Sequence, residues 1–468
     1  ASDVYKRQEM DRTRPSLVPT LTIPFYALFG INNDVGLLVN LAALVLLLLT
    51  TYGLGANLGG RRTGLLAALL VGSYPVLVGL IHILMVELVM LALVAATLLA
   101  LWLSDCFRHR GWSIIAGMLI GMGLLTKVFF AVFLVGPWLV TAQQVVPRAG
   151  GRWRLDQSIN LLASALGAVI VASFWYIPNL GPMLERSLDA GIGAEAAPYG
   201  PADPLRWVNL RNYFLSFVGT GTSFIGFLAF LVGCVGLAVT GLRARRGVQS
   251  QQPVDGQAVL FLASSIVVGY AIFTSVTNQD MKHVTGILPA MAVLSGWGIT
   301  RLFRRWWTVV AGAILALSLL LVVAGTAPGP LQNWRLGVPI SNYNLLLLYP
   351  AQPAALNTRY ASPDPTPWPL EPLLSYALFV ADLEGLPRDR AHIGVIPNHP
   401  GIEEHAFRFE AYRQRMPVVI GTALVINLAN QDVLVHKTGD WGWAPSRRAI
   451  KRVMAALAEP DSEFQRMP

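Results

Sequence analysis

Charge is scarce in this sequence. Asp, Glu, Lys and Arg make up 13% of its 468 residues, about half the share usual in a soluble globular chain. That leaves too little polar surface to keep a compact body of this size in water. Cysteine is scarcer still. Cys106 and Cys234 are the two in the chain, which excludes a disulfide framework and offers no metal-ligand spacing. There is no phosphate-binding glycine loop, dinucleotide fingerprint, nucleophile elbow, HExxH or CxxC. No run alternates basic and aromatic residues on a polar background, so the net charge of +9 does not point to nucleic acid. The first 14 residues are polar, begin without Met and carry no signal-peptide pattern. They read as the start of a truncated chain.

Apolar residues are abundant, at 54%, and they come in blocks. The blocks run over 34–56, 64–81, 84–103, 113–126, 128–142, 158–178, 222–242, 256–276, 284–300 and 306–325. Several reach the roughly 20 residues that cross a hydrocarbon core of about 30 Å. Backbone polar groups must be satisfied internally in lipid, so these blocks are expected to be helices. The pieces 113–126 and 128–142 are short and meet at Lys127, as half-spans turning at one membrane surface would. The expected fold class is an α-helical polytopic membrane protein with about ten membrane helices and a C-terminal extracytoplasmic α/β domain.

The arginines set the orientation. Arg61/Arg62, Arg108/Arg110, Arg148/Arg152/Arg154, Arg243/Arg245/Arg246 and Arg301/Arg304/Arg305 all fall on one side if every block crosses. The positive-inside rule makes that side cytoplasmic. The turn 81–87, the Lys127 tip, a long loop over 179–221, the turn 277–283 and everything after about 326 then lie outside. Residues 1–33 become an outer juxtamembrane segment, with 15–30 lying along the surface rather than crossing. The transmembrane domain is expected over 34–326 and a linker over 327–371. Over 372–468 the pattern predicts an α/β domain: a helix ending at Gly385, a strand at HIGVIPN, an acidic-to-basic helix at GIEEHAFRFEAYRQR, strands at PVVIGTALV and DVLVHKTG, and a basic helix at SRRAIKRVMAAL. His399, His405 and His436 lack ligand spacing there and read as ordinary polar residues.

Ionisable residues at membrane depth mark function by default. His82 ends one span, Glu87 opens the next, Lys127 sits at the tip of the half-spans, and Lys282 and His283 open the span over 284–300. On this topology all five converge on the outer surface. Cations there suit a lipid-linked phosphate; an acid suits a hydroxyl or a metal. The plainer reading is that they anchor helix ends at the headgroups. The 179–221 segment adds Asn179, Glu185, Arg186, Asp189, Arg211 and Tyr213, either as cover for a sugar site or as a solvated loop. Gly117, Gly121 and Gly123 in GMLIGMG have the small-residue spacing of close helix packing.

Taken together, the segments resemble the family 39 and 83 glycosyltransferases of the GT-C superfamily. The stretch from RPSLVPTLTIPFYALFG through GRRTGLLAALLVGSYPVL is similar to their "PPLY…LFG…GRR.AGLLAALL…P" pattern. IHILMVELVML is similar to the segment in which an acid opens a span. GMLIGMGLLTKVFF resembles their "GLALLTK", and MKHVTGILPAMAVLSGWGI their "K…RYLLP.LP.LALLAG". The resemblance covers nearly the whole chain. It implies an inverting transfer of a sugar from a polyprenyl-phosphate donor to an acceptor hydroxyl at the outer face of the cytoplasmic membrane. Lys127, Lys282, His283 and Arg211 would bind the donor phosphate, Glu87 would orient the acceptor or the base, and His82, Arg14 and Tyr213 would contact substrate. The family's basic Asp follows an earlier span and would lie upstream of Ala1. The family's Arg-Tyr after the Lys is replaced here by His283-Val284-Thr285. Implied partners are membrane lipid, the lipid-linked donor and a protein, lipid or glycan acceptor, with no nucleic acid. The sequence sets no cofactor, divalent metal, sugar or oligomeric state. A transporter or flippase for a lipid-linked glycan, and a non-catalytic membrane scaffold, are the competing readings.

Overall fold

The computed structural model describes residues 15–145, 154–193, 201–246, 254–326, 336–340, 343–348, 369–386, 391–396, 402, 404–416, 418–423, 430–436 and 447–458. These fall into two compact units, one before and one after residue 362.

The first unit is a helix bundle. It opens with α1 (Leu17–Phe29), whose 13 residues make about 20 Å of helix and fall short of a span. α2 (Leu38–Gly59) is long and apolar enough to cross, and α3 (Arg61–Ser73) packs back against it. The block expected as one span over 64–81 breaks at Tyr74, where α3 and α4 (Pro75–Ile81) meet at 67°. The cause is local: Pro75 bars the α conformation at Tyr74, which sits extended at ψ 130°, and then starts the next helix. α5 (Val86–Leu103) follows and is buried along nearly its whole length, as a helix that is apolar all round should be.

α6 (Arg110–Leu124) and α7 (Val132–Ala142) are the expected half-spans, parted at Lys127 by a 3₁₀ turn. α8 (Leu155–Ile192) runs for 38 residues. The outer loop expected over 179–221 is therefore helical up to 192, although the helix contains Pro178 and Pro182. α9 (Trp207–Ser216), ending in a π turn over Phe217–Gly221, covers much of the rest. α10 (Phe224–Arg245), α11 (Gly256–Ser275), α12 (Met281–Val284), α13 (Leu288–Leu302) and α14 (Trp307–Thr326) complete the bundle. Side chains cap three of these starts: Ser223 Oγ accepts from Gly226 N, Asp255 Oδ1 from Gln257 N and Asp280 Oδ1 from Lys282 N. Five described helices are long and apolar enough to cross a membrane, or six with the bent α3–α4 pair. The remaining expected blocks are α6, α7, α13 and α14, of which α6, α7 and α13 have 15 residues or fewer.

The segment expected as a linker over 327–371 contributes an antiparallel hairpin, β1 (Leu336–Ile340) with β2 (Tyr343–Leu348). β2 packs on α9 and its π turn, so part of that linker belongs to the membrane unit.

The second unit is the expected α/β body. Its three-stranded parallel sheet has the order β4 (Val419–Thr422), β3 (His392–Val395), β5 (Val433–Val435). α15 (Leu370–Leu383) and α16 (Glu404–Arg413) pack together and onto this sheet. Leu374, Ala381, Ile393, Val395, Phe407 and Ile420 form the core. α15 ends where Gly385 takes φ +71°, the left-handed turn that glycine allows. α17 (Arg447–Leu457) buries Ile450 and Val453 beside Ile396 and Ala423.

Candidate active site

Four of the expected residues meet at one end of the bundle. Glu87 lies in the first turn of the buried α5, so its side chain is 3% exposed. Lys127 begins the 3₁₀ turn in an extended conformation, which turns its side chain out of the helix path. Lys127 Nζ donates to Glu87 Oε1 at 3.1 Å and to His283 Nδ1 at 3.0 Å. An ammonium has donors only. His283 Nδ1 must therefore accept, which leaves the ring neutral with its proton on Nε2. The His283 ring stacks on Phe273 with centroids 6.2 Å apart. Glu87 Oε2 is buried and takes no hydrogen bond among the described residues. A buried carboxylate oxygen left in that state is costly unless something fills the role.

These groups line a cavity of about 530 Å³. Lys282 is also on its wall, with Nζ 3.1 Å from Asp280 Oδ2. Val18, Leu84, Phe129, Phe273 and Val276 supply apolar walls, and Arg186 adds a third cation. The cavity thus combines ammonium and guanidinium groups, a buried carboxylate and a greasy lining. Such a set can hold a phosphate attached to a hydrocarbon chain and orient a hydroxyl.

The other expected residues lie elsewhere. His82 Nδ1 bonds Val78 O at 2.8 Å, within its own helix end. Arg211 bonds the neighbouring Asn212 Oδ1. Tyr213 is buried and stacks on Tyr270 at 5.9 Å. None of the three lines the cavity; in place of α9, the end of α8 supplies Met183, Arg186, Ser187 and Gly191 to its wall. Arg14 lies outside the described residues.

Sequence reasoning missed two residues that build the site. Asp280 both caps α12 and pairs with Lys282. The acid two residues before a lysine at a helix start was the available signal. Asn40, in the first turn of α2, is fully buried and donates through Nδ2 to Leu80 O, Ile81 O and Ile83 O. It satisfies the carbonyls left open where α4 ends, and so fixes the turn that delivers Glu87. An Asn within an apolar block was visible, but its distant partners were not. Among the described residues no three His, Cys, Asp or Glu side chains form a metal-ligand set.

Spanning helices around a charged cavity at one bundle end define an integral membrane protein. Over residues 13–177 the chain matches the model of the family described as dolichyl-phosphate-mannose-protein mannosyltransferase, in agreement with the GT-C resemblance read from the sequence. Among solved structures it is similar to ArnT from Cupriavidus metallidurans bound to undecaprenyl phosphate, at 15% identity and TM-score 0.48, covering 68% of this chain and 56% of that one. The apo state of the same ArnT gives 14% and 0.47, with the same coverage. The Archaeoglobus fulgidus oligosaccharyltransferase tethered with an acceptor peptide gives 13% and 0.42, covering 92% of this chain and 53% of that one. The chain thus spans little more than half the length of these structures. Comparison with curated proteins gave no match.

Proposed function

We propose that this protein is a glycosyltransferase that moves a sugar from a polyprenyl-phosphate donor to an acceptor hydroxyl at the extracytoplasmic face of the cytoplasmic membrane. The observation that carries the reading is the ion pair of Lys127 with the buried Glu87, set with Lys282 on one apolar-walled cavity at the helix ends. The match over residues 13–177 supports the same class.

In the proposed reaction the acceptor oxygen attacks the anomeric carbon. The bond from that carbon to the phosphate oxygen breaks, and the phosphate leaves with the electron pair. A carboxylate takes the acceptor proton. Glu87 Oε2 accepts a hydrogen bond from the incoming hydroxyl and orients it. Lys282 and the third N–H of Lys127 stabilise charge on the departing phosphate. The polyprenyl chain follows the apolar wall toward lipid. The α/β unit is extracytoplasmic in this reading.

The test is donor turnover in lipid nanodiscs, read as release of polyprenyl phosphate. Lys282→Gln should lower kcat/KM for the donor by about 10²–10³, because its charge acts on the leaving group. Unchanged donor kinetics in both Lys282→Gln and Lys127→Met would remove the phosphate role and the reading with it.

A further inference from the structure

Helix α8 is longer than a membrane is thick. Its 38 residues make about 57 Å of helix, against about 30 Å of hydrocarbon. The surplus lies at the cavity end. Tyr176 Oη donates to Leu124 O at 2.9 Å, which sets Tyr176 level with the tip where α6 ends. About 22 Å further along the helix, Gly191 is back beside Phe129, where a Cβ would stand 3.8 Å from the ring. Its carbonyl accepts from Asn278 N at 3.2 Å. Leu124, Phe129 and Asn278 all belong to turns at one end of the bundle. The intervening helix therefore runs along that end, over the cavity, and not away from it.

At about 100° per residue, the side chains of this segment sort into three arcs. Met183, Arg186 and Ser187 face the cavity. Leu180, Leu184, Leu188 and Ile192 share a second arc and are 52–64% exposed. Glu185 lies beyond them on the exposed surface. The apolar arc holds the same angular range as Leu166, Ile170, Phe174 and Ile177 in the spanning part, which are also exposed. The exposed apolar arc of the spanning part and that of the segment above the cavity thus share an angular range.

We infer that residues 178–192 form a strap seated in the lipid interface on the cavity side of the membrane. Lipid covers Leu180, Leu184 and Leu188, water meets Glu185, and the inward arc closes the candidate site. A helix with one apolar and one charged exposed face has this preferred depth. The pin from Asn278 to Gly191 ties the strap to the turn that carries Asp280 and Lys282. Lipid at this surface thereby holds one wall of the site in place. The inference rests on the membrane reading proposed above.

The test is spin-label accessibility in lipid nanodiscs, in a Cys106→Ser, Cys234→Ser background. Labels replace Leu184, Leu188 and Glu185, with the exposed Leu166 as the mid-span reference. Collision with oxygen is compared with collision with a water-soluble nickel chelate. Leu184 and Leu188 should favour oxygen, as Leu166 does, while Glu185 favours nickel. Nickel contact at Leu184 and Leu188 with Leu166 still in lipid overturns the strap and leaves the membrane reading standing. Shielding of Leu184 and Leu188 from both reagents overturns lipid as the occupant and assigns the arc to a protein surface. Nickel contact at Leu166 overturns the membrane reading and the strap together.

Discussion

Lys127 holds two neighbours at once, Glu87 Oε1 at 3.1 Å and His283 Nδ1 at 3.0 Å, so its removal has two separable consequences. Lys127→Met strands a buried carboxylate without its counter-charge, and breaking such a pair costs about 3–5 kcal/mol. Thermal unfolding in detergent should show that loss. Lys127→Met with Glu87→Leu removes both charges and should recover most of the stability, since an apolar replacement of a buried pair is often near neutral. Donor turnover should stay low in the double variant, because the phosphate contact is still missing. Recovery of turnover together with stability would make the pair a structural device only. The convergence of Glu87, Lys127, Lys282 and His283 was legible in the sequence, since each sits at a helix end on the side away from the arginines. The failure of His82, Arg211 and Tyr213 to join them was not. Their side chains turn to a carbonyl, a neighbouring amide and an aromatic ring, and these are choices of local geometry.

Two elements of the membrane unit are held together by what their glycines leave out. A Cβ at Gly117 of α6 would meet the Ser164 backbone carbonyl of α8, and one at Gly121 would stand 2.8 Å from Ala168 O. The spacing seen in GMLIGMG is thus a close helix contact. Gly117→Leu must part α6 from α8 and should cost at least the 1–3 kcal/mol typical of overpacking. Unfolding in detergent checks the loss, and Gly111→Leu, with open space at its Cβ, is the control. In the α/β unit Arg413 grips Glu410 through Nε to Oε2 at 3.0 Å and a terminal nitrogen to Oε1 at 2.6 Å. That pairing holds the Glu410 carboxyl below its usual range, with burial opposing. A lowered carboxylate pKa contributes stability that is full above the unfolded value and lost as pH falls through the folded one. Hydrogen exchange of peptides over 404–416 should accelerate as pH drops below the usual glutamate range, after correction for intrinsic rates, and Glu410→Gln should flatten that acid limb. At this scale the sequence showed the strands and helices of the second unit well, because Gly385 and the charge gradient of α16 are local signals. It did not show that α8 continues past Pro178 and Pro182. A proline reads as a stop, and only the packing beneath α8 decides that the helix continues.

The two ends of the bundle differ in kind, and this ties the fold to an orientation. At one end Arg62 lies over Trp307 at 5.6 Å and Thr63 bonds Thr300 at 2.9 Å. Phe107 O accepts from Asn160, and Cys106 Sγ from Gln257. These contacts gather the helix ends that carry Arg61, Arg108, Arg154 and Arg301. α10 and α13 run side by side, with Gly233 against Ser295 and Gly236 against Gly298, which adds Arg243 and Arg305 to the same end. Glu87, Lys127, Asp280 and Lys282 occupy the other. The described helices bring these arginines to one end, as the parity expects, and on the proposed reading the positive-inside rule makes that end cytoplasmic. Cysteines at Arg245 and Glu185, both exposed, report on it in the background lacking Cys106 and Cys234. A membrane-impermeant maleimide applied to intact cells should label Glu185→Cys and spare Arg245→Cys, and inverted vesicles should reverse the pattern. The reverse result in cells would move the cavity to the cytoplasmic face, where a sugar nucleotide in solution competes as donor and the case for a lipid-linked sugar loses its physical ground. Labelling as expected leaves membrane-borne sugar as the donor within reach of Lys127 and Lys282, because sugar nucleotides do not cross the bilayer's roughly 30 Å of hydrocarbon unaided.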